Sequence, residues 1–386
     1  MTERSKAFFI NGGAGRVLCS IPAFEKHLEE YPEDDFIIVC EGGTDFFKGH
    51  PNLYPRVYDN WHKDLFRTHI QMRDIVSTEP YRIWEYYNQK CNLSQAFDIN
   101  INNKGIRDLP KPFLKLSRHE SINGKFINEE VRQVTGKEKV VVFQPFGRGS
   151  QPVGNFIIDE GGRSFEYQNV IGIIRKLQKK YAVIYMGEHQ INFEGEGLQP
   201  VASPRGATLR DWAAVIAEAD VFLGCDSVGQ HLAYTADKPA VVVVGSTCKE
   251  NISYPNEPKF EVLDMGEGAR IYDPIRVTMD EVTHRQNDGI MAMNGKIEDV
   301  IVESVTKQMN KYWKKKTEVV ILPSQTDCSN GSCGTKEQQL PQQTNNFVPG
   351  VGEPADGSAI FMNPKDKLSK NGKKGFAELI SEETKK

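Results

Sequence analysis

Short apolar runs recur along the chain, and each stops at glycine or polar residues. They fall at 7–10, 36–40, 56–59, 96–99, 140–143, 182–186, 221–223 and 240–244. Runs of this length, rich in Val, Ile and Phe and bounded by turn residues, predict buried parallel strands. Between them lie segments with helical spacing. Val17, Leu18, Ile21 and Phe24 share one face, 167–179 is amphipathic, and a further helix is expected to begin at 208–213. Near the end, 296–316 carries Val300, Ile301, Val305, Met309 and Trp313 on one side. Alternation of strand and helix predicts an α/β fold built on parallel sheets. Tyr81, Trp84 and Tyr87 stand at i, i+3 and i+6, an aromatic helix face that either packs in the core or stacks a sugar or base.

The end of the polar stretch 100–138 is the expected domain boundary. We therefore expect an N-terminal domain at 1–136 and a second at 137–321. Beyond 322, Ser, Gln, Asn, Gly, Pro and Lys dominate. Such a segment buries too little apolar surface to offset its ordering entropy, so 322–386 is expected to be a disordered tail.

The most informative stretch is 219–247. A strand ends at Gly224, Asp226 and Ser227 stand where a helix begins, and a second strand runs into Gly245-Ser246-Thr247. The first turn of a helix has N–H groups without intrahelical partners, and its dipole favours an anion. Gly229 permits close approach, and Ser227, Thr247 and His231 add donors. A diphosphate fits; so does an ordinary capped helix. The first strand runs into Asn11-Gly12-Gly13-Ala14-Gly15-Arg16, where Gly13 and Gly15 can bring backbone N–H groups to an anion or sugar. The second ends in Glu41-Gly42-Gly43-Thr44-Asp45, a place where open α/β sheets put ligands.

Composition narrows the picture. The net charge of −4 over 386 residues gives no electrostatic case for nucleic acid. No apolar run is long enough to span a bilayer, and no signal peptide is expected at the start. The seven cysteines are scattered and read as reduced cytosolic thiols. Cys328 and Cys333 form a single pair, too few for a tetrahedral zinc site.

Asp226-Ser227, His231-Leu232-Ala233, Lys238-Pro239 and Gly245-Ser246-Thr247 together resemble the nucleotide-sugar motif of glycosyltransferase family nine, which includes the ADP-heptose:lipopolysaccharide heptosyltransferases. The family's usual form is Asp-Ser/Thr-Gly-x-x-His, Lys-Pro, Gly-Pro-Thr; here Val228 stands for the Gly and Ser246 for the Pro. The resemblance extends to Gly15-Arg16-Val17-Leu18 and Ile21-Pro22-Ala23-Phe24, but Arg16 stands where the family has its catalytic Asp. It implies a GT-B fold, with two Rossmann-like doubly wound domains facing across a cleft, the acceptor on the first and the donor on the second. It further implies donor binding by Asp226, Ser227, Gly229, His231 and Thr247, with Arg148 and Gly187 near the donor. Arg163, and Arg16 with Gly13 and Gly15, would meet phosphate or acceptor. Arginine cannot serve as a base at neutral pH but can grip phosphate bidentately. Glu41 and Asp45 are therefore the expected replacement bases.

The implied reaction moves a sugar from an ADP- or UDP-sugar to a hydroxyl, without a metal or other cofactor. The implied acceptor is a glycan or lipid-linked saccharide of lipopolysaccharide or another surface polymer. The protein would work in the cytoplasm or peripherally at the inner membrane face. Two alternatives stay open: a protein that binds nucleotide sugars without transferring them, and a phage-type transferase acting on modified DNA bases.

Overall fold

A computed structural model describes residues 5–154, 156–274 and 287–314. The elements, in chain order, are β1 (Lys6–Ile10), α1 (Ala14–Glu30), β2 (Ile37–Cys40), β3 (Val57–Asp59), β4 (Asp74–Ser77), α2 (Trp84–Tyr87), α3 (Leu93–Asn102) and α4 (Arg118–Thr135). They continue with β5 (Val140–Gln144), β6 (Gln151–Val153), β7 (Phe156–Ile158), α5 (Tyr167–Leu177), β8 (Ala182–Tyr185), α6 (Leu209–Glu218) and β9 (Val221–Cys225). Then come α7 (Val228–Thr235), β10 (Ala240–Val244), α8 (Lys249–Ile252), β11 (Phe260–Asp264) and α9 (Gly295–Tyr312).

The strands form two open parallel sheets, in the orders β3-β2-β1-β4 and β11-β10-β9-β5-β8, and a small antiparallel hairpin of β6 and β7. Both faces of the central strands are buried, which is why these runs are continuously apolar. Val140 and Val142 join one core cluster and Val141 and Phe143 another. Val242 and Val244 divide from Val241 and Val243 in the same way. The first of these clusters also takes in Phe8, Ile10 and Phe24 of the first sheet's layer, so one continuous core spans both sheets.

In each sheet the chain works outward from a central strand and then crosses to its other side. The crossings fall between β1 and β4 and between β5 and β9. Crevices at the carboxyl ends of such strand pairs are where open α/β sheets hold ligands.

Several elements differ from expectation. Residues 96–99 are helical, within α3, which begins with a capping box between Asn92 and Gln95. Ala96, Phe97 and Ile101 bury one helical face, and buried Asp98 is paired with Arg107. A four-residue apolar run cannot by itself separate strand from helix. The strand beside β1 is instead β4, an edge strand whose exposed Asp74 and Ile75 hide its signal. The aromatic stretch is a 3₁₀ turn over Pro80–Arg82 followed by the single turn of α2. Trp84 is exposed, while Tyr81 packs against the core. The polar stretch before the expected boundary contains α4, held by a Ser117–Glu120 capping box and closed by Gly136 at φ +65°. It packs closely on α6, where a Cβ on Gly124 would meet the Ala214 carbonyl oxygen at 2.5 Å. The tail expected at 322–386, with Cys328 and Cys333, lies outside the described residues.

Candidate functional site

The crevice between β5 and β9 is built from both strand ends. Gln144, the last residue of β5, reaches across to the start of α7. Its Oε1 accepts from the Gly229 N–H at 2.8 Å, and its Nε2 donates to the Ser227 hydroxyl at 3.2 Å. Ser227 holds the N-cap position of α7, but its side chain makes no capping bond. Glycine at 229 is required by this packing, since a Cβ would strike Gln144 Oε1 and come within 2.7 Å of the Phe222 ring.

Asp226 lies beneath this turn and is only 3% exposed. Its Oδ1 accepts from Gln230 Nε2 at 3.1 Å, while Oδ2 has no hydrogen-bond partner. Thr247 Oγ1, Gln230 Oε1 and Arg163 Nε are likewise buried without partners among the described residues. Buried polar atoms are rarely left unpaired, so such a group of them at strand ends marks a place for a ligand or water. Burial raises the Asp226 carboxyl above its ordinary range, against the opposing pull of Arg163, Thr247 and Gln230. Arg163 stands in a loop organised by Asp159, which accepts from the Gly161 N–H and from Ser164. Desolvation opposes the Arg163 charge, and Asp226 and Asp159 more than offset it.

His231, one turn into α7, is buried. Its Nδ1 lies 2.8 Å from the Tyr254 hydroxyl and 3.5 Å from Cys19 Sγ of α1. Burial lowers its pKa to about 4, so the ring is neutral at physiological pH. Its other edge faces α1, where a Cβ on Gly15 would meet His231 Cδ2 at 3.2 Å. The first turns of α1 and α7 therefore touch.

The crevice between β1 and β4 faces the same place. Gly13 is the N-cap of α1, with no side-chain cap and no acidic residue in the first turn. Gly12 has φ +96°, and its N–H donates to Glu41 Oε2 at 2.6 Å. Arg16 crosses the crevice: Nη2 donates to the Thr78 carbonyl at 3.2 Å, and the guanidinium lies 4.9 Å from the Tyr81 ring centre. Arg16 Nε has no partner. From the second sheet, exposed Arg148 approaches the same turn, its Nη1 3.8 Å from where a Gly13 Cβ would stand. Among the described residues, neither Arg16 nor Arg148 has a carboxylate within ion-pair distance.

Asp226, Ser227, Gly229, His231, Thr247, Arg163, Arg148, Gly13, Gly15 and Arg16 thus gather where the two sheets meet. Asp45 is turned elsewhere: it pairs with Lys48 at 2.6 Å on the surface, and its carbonyl takes a hydrogen bond from Arg210. Glu41 sits at the rim on Gly12. Gly187 follows β8, beyond β5, where it makes room for the Tyr185 hydroxyl. Sequence reasoning missed Gln144, Thr78 and Tyr254, polar residues inside or just beyond apolar runs. Among the described residues, no cluster of three or more His, Cys, Asp or Glu side chains could hold a metal ion.

No family profile matches the chain, and no curated protein matches it. Solved structures do. A glycosyl transferase family 9 protein from Veillonella parvula is similar at TM-score 0.58 and 10% identity, over 80% of this chain and 98% of that one. ADP-heptose LPS heptosyltransferase II of E. coli has TM-score 0.48 and 10% identity, over 80% and 99%. The E. coli heptosyltransferase WaaC with ADP has TM-score 0.44 and 12% identity, over 78% and 99%. The likeness to the Veillonella protein is one of fold. It agrees with the family that the 219–247 motif resembles, and the fold is α/β of the GT-B type.

Proposed function

We propose that the protein transfers a sugar from a nucleoside diphosphate sugar to an acceptor hydroxyl. The observation that carries this is the meeting of the first turns of α1 and α7 under Arg16, Arg148 and Arg163. The first turn of α1 has no side-chain cap, and among the described residues Arg16 and Arg148 have no carboxylate within ion-pair distance, so the place attracts a polyvalent anion. A diphosphate bound there leaves with its charge already met by fixed dipoles and guanidinium groups, the kind of stabilisation that favours its departure. The fold similarity and the motif at 226–247 support a nucleotide sugar as the source of that anion. On this reading Ser227 and Thr247 hydrogen-bond the donor. Arg148 and Arg163 hold its phosphates, and Arg16 holds a phosphate or an acid group of the acceptor. The donor nucleotide is ADP or UDP, no metal takes part, and the acceptor is a glycan or lipid-linked saccharide presented at a membrane face.

The second reading is binding without transfer, and Arg16 in the place of the family's acid favours it. Incubating the purified protein with ADP-heptose or UDP-glucose and a saccharide acceptor separates the two. Release of nucleoside diphosphate that rises with acceptor supports transfer. Tight binding with no release supports the second reading, and no binding of either nucleotide removes both.

A further inference from the structure

We propose that Glu41 is the catalytic base of this transfer, taking the acceptor proton on Oε1. The proposal deepens the transferase reading above and rests on it. The anomeric carbon is joined to the donor's β-phosphate through a single oxygen. A base serving that carbon must therefore stand close to the groups that grip the phosphates, yet open to an acceptor arriving from solvent. Glu41 meets both conditions. It follows β2 beside the end of β1, where its N–H donates to the Ile10 carbonyl at 3.3 Å. Its Oε2 accepts from the Gly12 N–H at 2.6 Å, which fixes the carboxylate at this turn and leaves Oε1 for a substrate. Arg16 lies against the same Gly12, its Nη1 3.2 Å from where a Cβ would stand, and Arg148 approaches the next residue, Gly13. Glu41 is exposed, and a Cβ on Gly42 beside it would meet nothing within 4 Å, so open space adjoins the carboxylate.

Other carboxylates at the strand ends are set differently. Asp226 is buried beside Arg163, Asp159 takes the Gly161 N–H and Ser164, and Asp45 is paired with Lys48. Glu79 follows β4, on the far side of β1, and donates its backbone N–H to Asn100. The charged groups at the Gly12–Gly13 turn besides Glu41 are Arg16 and Arg148, while in Glu41's own loop Asp45 and Lys48 satisfy each other. Among the described residues no Lys, Arg or His nitrogen lies within ion-pair distance of Glu41, so its charge is not already committed. Arg16 turns to Thr78 and Tyr81 on the β4 side of β1, and Glu41 comes from β2 on the other side. The cation that replaces the family's acid and the anion that takes over its work thus flank one strand end.

In the step itself, the acceptor oxygen forms a bond to the anomeric carbon as its proton passes to Glu41 Oε1. The bond from that carbon to the β-phosphate oxygen breaks, and its electron pair leaves on the diphosphate. The proton then passes from Glu41 to water as products depart.

The test uses the full chain, native and as Glu41→Gln and Glu79→Gln. Glutamine at 41 still accepts the Gly12 N–H but cannot take a proton, so it separates holding the turn from acting as base. ADP and UDP affinity is measured by calorimetry. Turnover of ADP-heptose and UDP-glucose, to a saccharide acceptor and to water, is followed from about pH 5 to 9. Glu41→Gln should bind nucleoside diphosphate within about threefold of native or more tightly, since a negative charge near the phosphates is removed; this also shows that it is folded. Its turnover should fall by about 10²–10⁴, and the acid limb of the native pH profile should vanish. Glu79→Gln should keep both the rate and the limb. Turnover of Glu41→Gln within about tenfold of native, or an acid limb that survives in it, overturns the proposal. So does loss of diphosphate binding in step with turnover, since Glu41 would then shape the site and not move the proton. A larger loss in Glu79→Gln than in Glu41→Gln overturns it too and puts the base on the other side of β1. A native protein that binds diphosphate but never turns over also overturns it, leaving the binding reading. A native protein that binds neither nucleotide removes the functional reading itself.

Discussion

Two buried ionisable residues carry opposite pH signatures. His231 has its pKa lowered to about 4 by burial, below the value of about 6.5 in an unfolded chain. The unfolded state therefore binds the proton more readily. Stability from this residue is present above pH 6.5 and is lost as pH falls through 4, by up to about 3 kcal/mol. Urea unfolding of native protein and His231→Gln between pH 7 and 4 should show a steeper acid loss in the native chain. Asp226 has its pKa raised, with burial the main cause, so the sign reverses. Its stabilising contribution is present below the unfolded pKa and is lost as pH rises through the folded one. Asp226→Asn should accordingly melt higher than native at neutral pH, with the gain shrinking in acid. A variant that melts lower at pH 7 would contradict the burial argument.

Between elements, the contact of α4 with α6 depends on a glycine and an arginine. Arg210, at the start of α6, binds Glu120 of α4 with two parallel bonds of 2.6 and 2.8 Å, and also the carbonyls of Lys115 and Asp45. The pairing lowers Glu120 to about 2. Removing one partner of a mostly buried pair leaves the other uncompensated. Arg210→Ala is therefore expected to lose about 3 kcal/mol in denaturant unfolding. Because Glu120 has its folded pKa depressed, the native advantage is present above the unfolded value and disappears as pH falls towards 2. Gly124 lies where α4 crosses α6. Gly124→Ala would raise helix propensity in isolation, yet its Cβ would meet the Ala214 carbonyl oxygen at 2.5 Å. We expect a net loss of about 1–3 kcal/mol, read as a lower melting temperature. An unchanged or higher melting temperature would show that the helices separate freely.

For the molecule as a whole, the functional reading makes binding and stability one measurement. A ligand that binds only the folded state stabilises it by about 2.7 kcal/mol at a hundred times its Kd. ADP or UDP at such excess should raise the melting temperature of the native chain. The rise should shrink in Arg148→Ala, whose exposed side chain has little part in folding but faces the turn at Gly13. Added salt should weaken binding in both proteins and narrow the difference between them, because guanidinium–phosphate attraction is screened. An equal shift in native and variant protein would take Arg148 out of the phosphate site. Among the described residues, no helix is long and apolar enough to cross a membrane.

The sequence by itself determined most of the parallel strands, because burial on both faces demands unbroken apolar runs such as those at 140–143 and 240–244. It also placed Asp226, Ser227 and Thr247 at the strand ends, since chain adjacency alone puts them there. Local signals failed where an element takes its identity from a neighbour. The strand at Asp74 exists because β1 offers it an edge, and the helix at Ala96 because its far face finds α1. Only the tertiary structure decided which polar groups share a place. Glu41 and Asp45 are four residues apart, and Asp45 is turned to Lys48 on the surface, whereas Arg16 and Arg148, far apart in the chain, both approach the turn at Gly12 and Gly13. Only the packing shows that Gln144 takes the Gly229 N–H and that Asp226 is buried beside Arg163, Thr247 and Gln230. Burial and partnership are properties of a residue's surroundings, and those surroundings come from chain segments more than sixty residues away.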